Sequence, residues 1–190
     1  MTTRRIVVGV SGASGVQLAF RLLKELRNHP EIETHLVVSS GSERTIEMET
    51  DHDILELNCL ADVVYDNENT GASIASGTFR VEGMVVVPCS MKTLAGIAHG
   101  YSDNLLLRAA DVNIKERRKL VLVARETPLS RLHLNNMLTA TEYGAVIMPP
   151  MLTYYNRPES IEDMETHVVG KILHEFGIEA THYKRWCEDK

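Results

Sequence analysis

The chain has 190 residues, a net charge of −6, 44% hydrophobic and 24% charged residues. That length supports a core needing no staples, and an acidic balance argues against a broad basic face for nucleic acid. Cys59, Cys89 and Cys187 are odd in number and widely spaced, which predicts neither a disulfide framework nor a zinc site and points to a reducing cytoplasm.

Residues 1–10 join two arginines to a short apolar run that ends in the polar 11–15 segment, so neither a signal peptide nor a membrane span is predicted. Residues 5–10 form a β-branched run suited to a buried strand. Val16, Ala19, Phe20, Leu22, Leu23 and Leu26 recur at helical spacing over 16–26. A second strand is expected at 34–38, helices at about 42–49 and 53–59, and a weak strand at 62–65. The polar, Gly/Ser/Asn-rich 66–80 stretch reads mostly as surface loop. A strong strand at 84–87 is expected to stop at Pro88. Helices follow at 91–98 and 103–116, a strand at 120–123, a helix at 131–142 and a strand at 145–148. The last helix, 160–176, opens on a Ser160…Asp163 capping pattern behind Pro158. Alternating apolar strands and helices imply right-handed parallel crossovers with both sheet faces covered. The expected fold is α/β, a Rossmann-like doubly wound parallel-sheet sandwich in a single domain spanning 1–190.

Against the acidic total, Arg108, Lys115, Arg117, Arg118, Lys119 and Arg125 crowd into 108–126. Such a local cationic cluster suits a small anionic ligand. Arg117, Arg118 and Lys119 read as a solvated surface, with Asp111 and Lys115 expected as an i,i+4 pair. Arg108 and Lys115, seven residues apart, share a helix face, and with Arg125 they suggest a clamp. Ligands in open α/β sheets sit at the carboxyl ends of strands. Four such ends carry small polar residues: Gly12, Ala13 and Ser14; Ser39 and Ser40; Ser90, Met91, Lys92 and Thr93; Arg125, Glu126 and Thr127.

The first of these turns lacks both GxGxxG and a Walker motif, since Val10 takes the first glycine position. It fits a phosphate-bearing ligand other than NAD. A helix N-terminus alone contributes about 0.3–1 kcal/mol to anion binding. Taken singly, each Ser or Thr reads as a helix cap. Cys89 reads as a small buried residue, Glu49 as a surface acid, and Glu126 as either a loop ion pair or a proton donor–acceptor. Tyr154 and Tyr155 lie in a Pro-flanked loop where substrate contacts are common. Lys171 reads as a snorkelling lysine, and Trp186 either anchors the tail or stacks on a ligand. Eight histidines without HxxxH or HExxH spacing predict no metal site.

Together, SGASG at 11–15, METD at 48–51, the block at 88–129, HLNNML at 133–138 and PPMLTYYNRP at 149–158 resemble the UbiX/Pad-type flavin prenyltransferases. The likeness runs nearly the whole length and is closest to the subfamily associated with phenolic-acid decarboxylases. The resemblance implies a Rossmann-like sandwich that assembles as a homo-oligomer, usually a dodecamer, with sites at the interfaces between copies. It implies transfer of a dimethylallyl group from dimethylallyl phosphate to N5 and C6 of reduced FMN, with no metal. The prenylated FMN would pass to a UbiD-type decarboxylase, with no role for nucleic acid or membrane.

By motif, Gly12, Ala13, Ser14, Ser39, Ser90, Met91, Lys92, Thr93 and Arg125 would hold FMN. Arg108, Lys115, Tyr155 and Lys171 would grip the prenyl phosphate, and Trp186 would face the prenyl group. Glu126 and Glu49 would handle protons, with Ser14 beside the reacting flavin edge. Ser40 stands where some relatives have Lys, and Lys171 where others have Arg, so one charge is lost and one bidentate grip becomes a point contact. Two alternative readings are a flavin-dependent decarboxylase and a non-catalytic accessory flavin protein of a phenolic-acid decarboxylase. The decarboxylases related to peptidyl-cysteine chemistry carry a PxSxNT-like motif where this chain has PCSMKT at 88–93.

Overall fold

The computed structural model describes residues 3–186, so Cys187 lies outside the described residues. Six strands form one parallel sheet: β1 (Arg4–Val10), β2 (Ile32–Val38), β3 (Val63–Tyr65), β4 (Gly83–Cys89), β5 (Lys119–Ala124) and β6 (Val146–Ile147). Their spatial order is β3-β2-β1-β4-β5-β6. The chain builds outward from β1 in one direction and from β4 in the other, which puts the topological switch point between these two strands. The doubly wound architecture expected from the alternating pattern is therefore present.

The helices are α1 (Gln17–Leu26), α2 (Ser40–Glu49), α3 (Ile54–Asn58), α4 (Met91–Ala98), α5 (Leu105–Lys115), α6 (Arg131–Glu142) and α7 (Ile161–Glu175). Side chains alternate across the pleat, and this divides the core in two. Ile6, Val8, Val85, Val121 and Val123 pack against α1 and α7, with Ile46 of α2 and Leu57 of α3 in the same layer. Val7, Met84, Val86, Leu120 and Leu122 pack against α4, α5 and α6 on the other face. Most of these side chains are fully buried, each worth about 1.5–3 kcal/mol relative to exposure.

Four expectations need correction. Strand β4 does not stop at Pro88 but continues to Cys89, past a register shift between Val86 and Cys89. The extra residue flips the alternation, so Cys89 joins the face of Met84 and Val86. Pro88 still serves the structure, because its carbonyl accepts bonds from the Ser11 amide (3.2 Å) and hydroxyl (3.0 Å). The 66–80 stretch is more than surface loop: it holds a 3-10 turn, Ser73–Ala75, with Ile74 buried in the core. Arg118, expected to be merely solvated, pins this segment by donating to the carbonyls of Phe79 (3.0 Å) and Gly77 (2.6 Å). Asp111 pairs with Arg108 at 2.6 Å, and Lys115 pairs with Glu116, in place of the expected Asp111–Lys115 contact.

The Ser160 capping box is present, with Asp163 reciprocating. Asp53 and Ser130 make two more, with Glu56 and His133 as the return partners. Among the described residues no helix is long and apolar enough to cross a membrane.

Candidate functional site

Hydrogen bonds stitch four neighbouring strand ends into one rim. The Ser39 amide donates to Val10 O at 2.9 Å, joining β2 to β1. Ser11, 1% exposed, joins β1 to β4: its hydroxyl donates to Pro88 O and accepts from the Ser90 amide at 2.8 Å. The Arg125 amide donates to Cys89 O at 3.1 Å, joining β5 to β4. Gly12, Ala13, Ser14, Ser39, Ser90 and Arg125 thereby lie along one rim at the switch point. Sequence reasoning gave Ser11 no separate role. Its signal was position: a small hydroxyl at the end of the central strand.

Two loops approach closely at this rim. A Cβ on Gly12 would lie 2.8 Å from the Gly41 backbone, closer than any real side chain tolerates. The β1–α1 turn therefore lies directly on the N-terminus of α2. Ser39 occupies the N-cap position of α2, but its hydroxyl makes no cap bond and pairs instead with the Ser42 hydroxyl at 2.9 Å. Ser90 caps α4, accepting from the Thr93 amide at 3.2 Å, while Met91 and Lys92 form its first turn and Lys92 is exposed. The rim thus combines a glycine cradle, two helix N-termini, an exposed lysine and the exposed Arg125. These are features that suit a planar ring carrying a phosphate.

Both carboxylates expected to handle protons lie at this end of the sheet. Glu49, read as a surface acid, accepts from the Gly15 amide at 2.8 Å and so reaches back from the end of α2 to the β1–α1 loop. Glu126 follows β5 directly, is exposed, and accepts from the Thr127 amide at 3.0 Å. Cys89 is fully buried, and burial pushes its thiol pKa up to about 12, so it is not an available thiolate.

The side chains expected to grip the prenyl phosphate do not all meet within one chain. Arg108 and Lys115 project from α5, on the sheet face opposite α7. Lys115 precedes the start of β5, whereas Arg125 follows its end, a separation of about 20 Å along a six-residue strand. The expected Arg108–Lys115–Arg125 clamp is therefore not formed by a single copy of the chain. Lys171 sits on α7 in a cleft of about 150 Å³ with Met148, Pro149, Met151, Thr153 and His167. It is not simply snorkelling, because Glu175 accepts from it at 3.1 Å. That bond, together with Lys119, holds the Glu175 carboxyl below its ordinary pKa.

Tyr155 stacks edge-on against Trp186 (5.1 Å between centroids) and against His167 (5.5 Å). Trp186 therefore packs on Tyr155, with its ring still largely exposed. His167 escaped the sequence reading, although it stands one turn before Lys171 on the same helix face. Among the described residues no group of three or more His, Cys, Asp or Glu side chains is arranged to hold a metal ion.

Comparison with known proteins gives a consistent picture. The Flavoprotein family model matches residues 1–173. A protein from Sedimentibacter hydroxybenzoicus described as a probable UbiX-like flavin prenyltransferase is 56% identical over 182 residues, covering 96% of each chain. The crystal structure of a dodecameric FMN-dependent UbiX-like decarboxylase from Escherichia coli O157:H7 superposes with a TM-score of 0.94 at 49% identity, covering 96% of this chain and 98% of that one. A UbiX protein solved with FMN and dimethylallyl pyrophosphate gives a TM-score of 0.96 at 48% identity, covering 99% and 100%.

Proposed function

Because the chain belongs to the Flavoprotein family, within its UbiX-like flavin prenyltransferases, we propose that it joins a dimethylallyl group to reduced FMN. All 190 residues would act as one FMN-binding domain. Reduced FMN, when bound, supplies the nucleophilic N5 and C6 positions that accept the five-carbon unit. The observation that carries the reading is the rim at the switch point, where Gly12, Ser39, Ser90 and Arg125 are tied together by bonds through Val10, Ser11, Pro88 and Cys89.

FMN fits this rim. The Gly12–Gly41 approach gives a cradle of bare backbone. Ser14, Ser39 and Ser90 with Thr93 offer hydroxyls, and the N-termini of α2 and α4 with Arg125 and Lys92 offer positive potential. Glu126 and Glu49 flank the same rim. We assign them to holding and releasing protons, with Ser14 beside the flavin edge.

The donor, dimethylallyl phosphate, loses its phosphate as the carbon–oxygen bond breaks. Preorganised cations lower the barrier where that negative charge develops. Arg108 and Lys115 are assigned to this role from one sheet face, Tyr155 and Lys171 from the other. Their division between faces favours a site closed by neighbouring copies, which agrees with a homo-oligomer such as the dodecamer of the Escherichia coli relative. Leu132, Leu134, Leu138, Met151, Leu152 and Tyr154 are exposed apolar side chains that such an assembly would cover. Tyr155 and Trp186 would wall the allyl tail and stabilise cationic character through their faces.

The product would serve a UbiD-type decarboxylase in the cytoplasm. The competing reading, direct decarboxylation, draws support from the Escherichia coli relative, described as an FMN-dependent decarboxylase. Anaerobic incubation with reduced FMN and either dimethylallyl phosphate or its pyrophosphate decides between them, by the mass of the bound flavin and by assay of CO₂ release.

A further inference from the structure

His167 is 9% exposed and enclosed by rings. Tyr155 meets it edge-on, and Tyr183 lies tilted across it at 5.1 Å. Tyr183 is seated on bare backbone: a Cβ on Gly170 would fall 2.5 Å from its ring. One imidazole nitrogen, Nε2, lies 3.4 Å from the Tyr155 hydroxyl. The other, Nδ1, is buried and makes no hydrogen bond among the described residues.

A neutral imidazole carries one N–H and one bare nitrogen. Among buried backbone groups an orphaned N–H is rarer than an under-satisfied acceptor, and the same preference favours the proton on Nε2 and a bare Nδ1. Burial also lowers the pKa of His167, which keeps the ring neutral.

We propose that His167 is a positioning residue for Tyr155. It donates its Nε2–H to the phenol oxygen and thereby leaves the phenol proton free to point at the donor phosphate. A hydroxyl that spent its proton on the imidazole would present only lone pairs to an anion, which repels it. With the oxygen engaged by His167, Tyr155 becomes a directed donor. The 3.4 Å separation is at the long end for such a bond. The placement is reinforced on the same helix, since Lys171 stands one turn after His167 in the cleft that both line. The histidine thus sets the direction of one phosphate donor beside the cation that meets the same anion. This inference rests on the prenyl-transfer reading for the identity of the anion.

The test combines a spectroscopic and a kinetic arm on the full-length oligomer. Magic-angle-spinning ¹⁵N spectra of histidine-labelled protein, with His167→Phe used to assign the signal, are expected to give a neutral Nε2–H tautomer. An Nδ1–H tautomer or an imidazolium would overturn the proposal, and this arm needs no turnover.

In the kinetic arm, His167→Phe should lower kcat/KM for dimethylallyl phosphate about tenfold, mainly through KM, with FMN affinity unchanged. His167→Gln, which keeps an N–H donor, should recover most of the loss. In a Tyr155→Phe background His167→Phe should cost little more, because its effect runs through the phenol oxygen. Full additivity with Tyr155→Phe, or no recovery by Gln, would contradict the proposal. Absence of prenylation by the wild-type protein alongside an Nε2–H tautomer would instead count against the enzymatic reading.

Discussion

The Glu49 carboxylate accepts a 2.8 Å hydrogen bond from the Gly15 amide, so the last residue of α2 holds the loop that follows β1. One side chain is thereby fixed to the rim and left with a second oxygen for chemistry. The two roles separate by substitution. Glu49→Gln keeps an oxygen acceptor for Gly15 but carries no exchangeable acid proton. FMN affinity should stay within about twofold of wild type while turnover falls roughly 10²–10⁴-fold, the span of a lost general acid or base. Single-turnover flavin absorbance measures both. Wild-type turnover in this variant would remove Glu49 from proton handling.

The Gly12–Gly41 contact gives a steric prediction. Gly12→Ala places a methyl 2.8 Å from the Gly41 backbone, which must shift. An overpacking cost of about 1–3 kcal/mol is expected, with FMN affinity reduced at least tenfold as the cradle opens. Gly41→Ala is the control, because its nearest neighbour would be an ordinary 3.7 Å away. Fluorescence titration with FMN and a thermal melt distinguish the two. Equal affinities would remove the cradle from FMN binding.

The separation of α5 and α7 on opposite sheet faces predicts complementation between copies of the chain. Lys115→Ala and Lys171→Ala should each bind FMN and lose about 10²–10³-fold in turnover, as for a lost charge-stabilising contact. Oligomers reassembled from a mixture of the two should regain a measurable fraction of activity, since some sites then draw Lys115 from one chain and Lys171 from another. No recovery after verified exchange of protomers would mean that these lysines do not share a site between copies.

Acid sensitivity should trace to a partly buried network centred on His35 beneath the 66–82 segment. His35, 2% exposed, lies 2.9 Å from the Tyr65 hydroxyl and 2.7 Å from Glu33, which also accepts from Arg5. Burial lowers the His35 pKa despite Glu33. Burial opposes ionisation of Glu33, but bonds from Arg5 and His35 outweigh it and lower its pKa. In both cases the unfolded chain binds the proton more readily, so stability rises with pH. It should be fully present above the unfolded histidine value of about 6.5 and be lost progressively on acidification below it. His35→Gln should flatten Tm between about pH 7 and pH 5 relative to wild type. An unchanged slope would exclude His35 as the source.

The fold was legible because β1, β4 and β5 are built on continuous apolar runs and α1 keeps its apolar stripe from Val16 to Leu26. Boundaries failed where tertiary contacts override local signals. Pro88 looked like a stop, yet β4 continues because Ser11 takes up the Pro88 carbonyl. Residues 66–80 looked like loop because the Ile74 anchor is a single apolar residue and its clamp, Arg118, lies far along the chain.

The rim was visible as small polar residues at four strand ends. What spacing could not reveal was that α5 and α7 lie on opposite faces of the sheet, since the face is set by crossover direction. His167 was hidden for another reason: a lone histidine on a helix gives no sign of its chemistry until Tyr155 is folded against it.

We propose that this chain, with its cations brought together by neighbouring copies, prenylates reduced FMN. Mass analysis of the flavin bound to purified protein after anaerobic incubation with reduced FMN and dimethylallyl phosphate tests it most directly. A flavin heavier by one five-carbon prenyl unit is expected. Recovery of unmodified FMN from correctly assembled protein would contradict it.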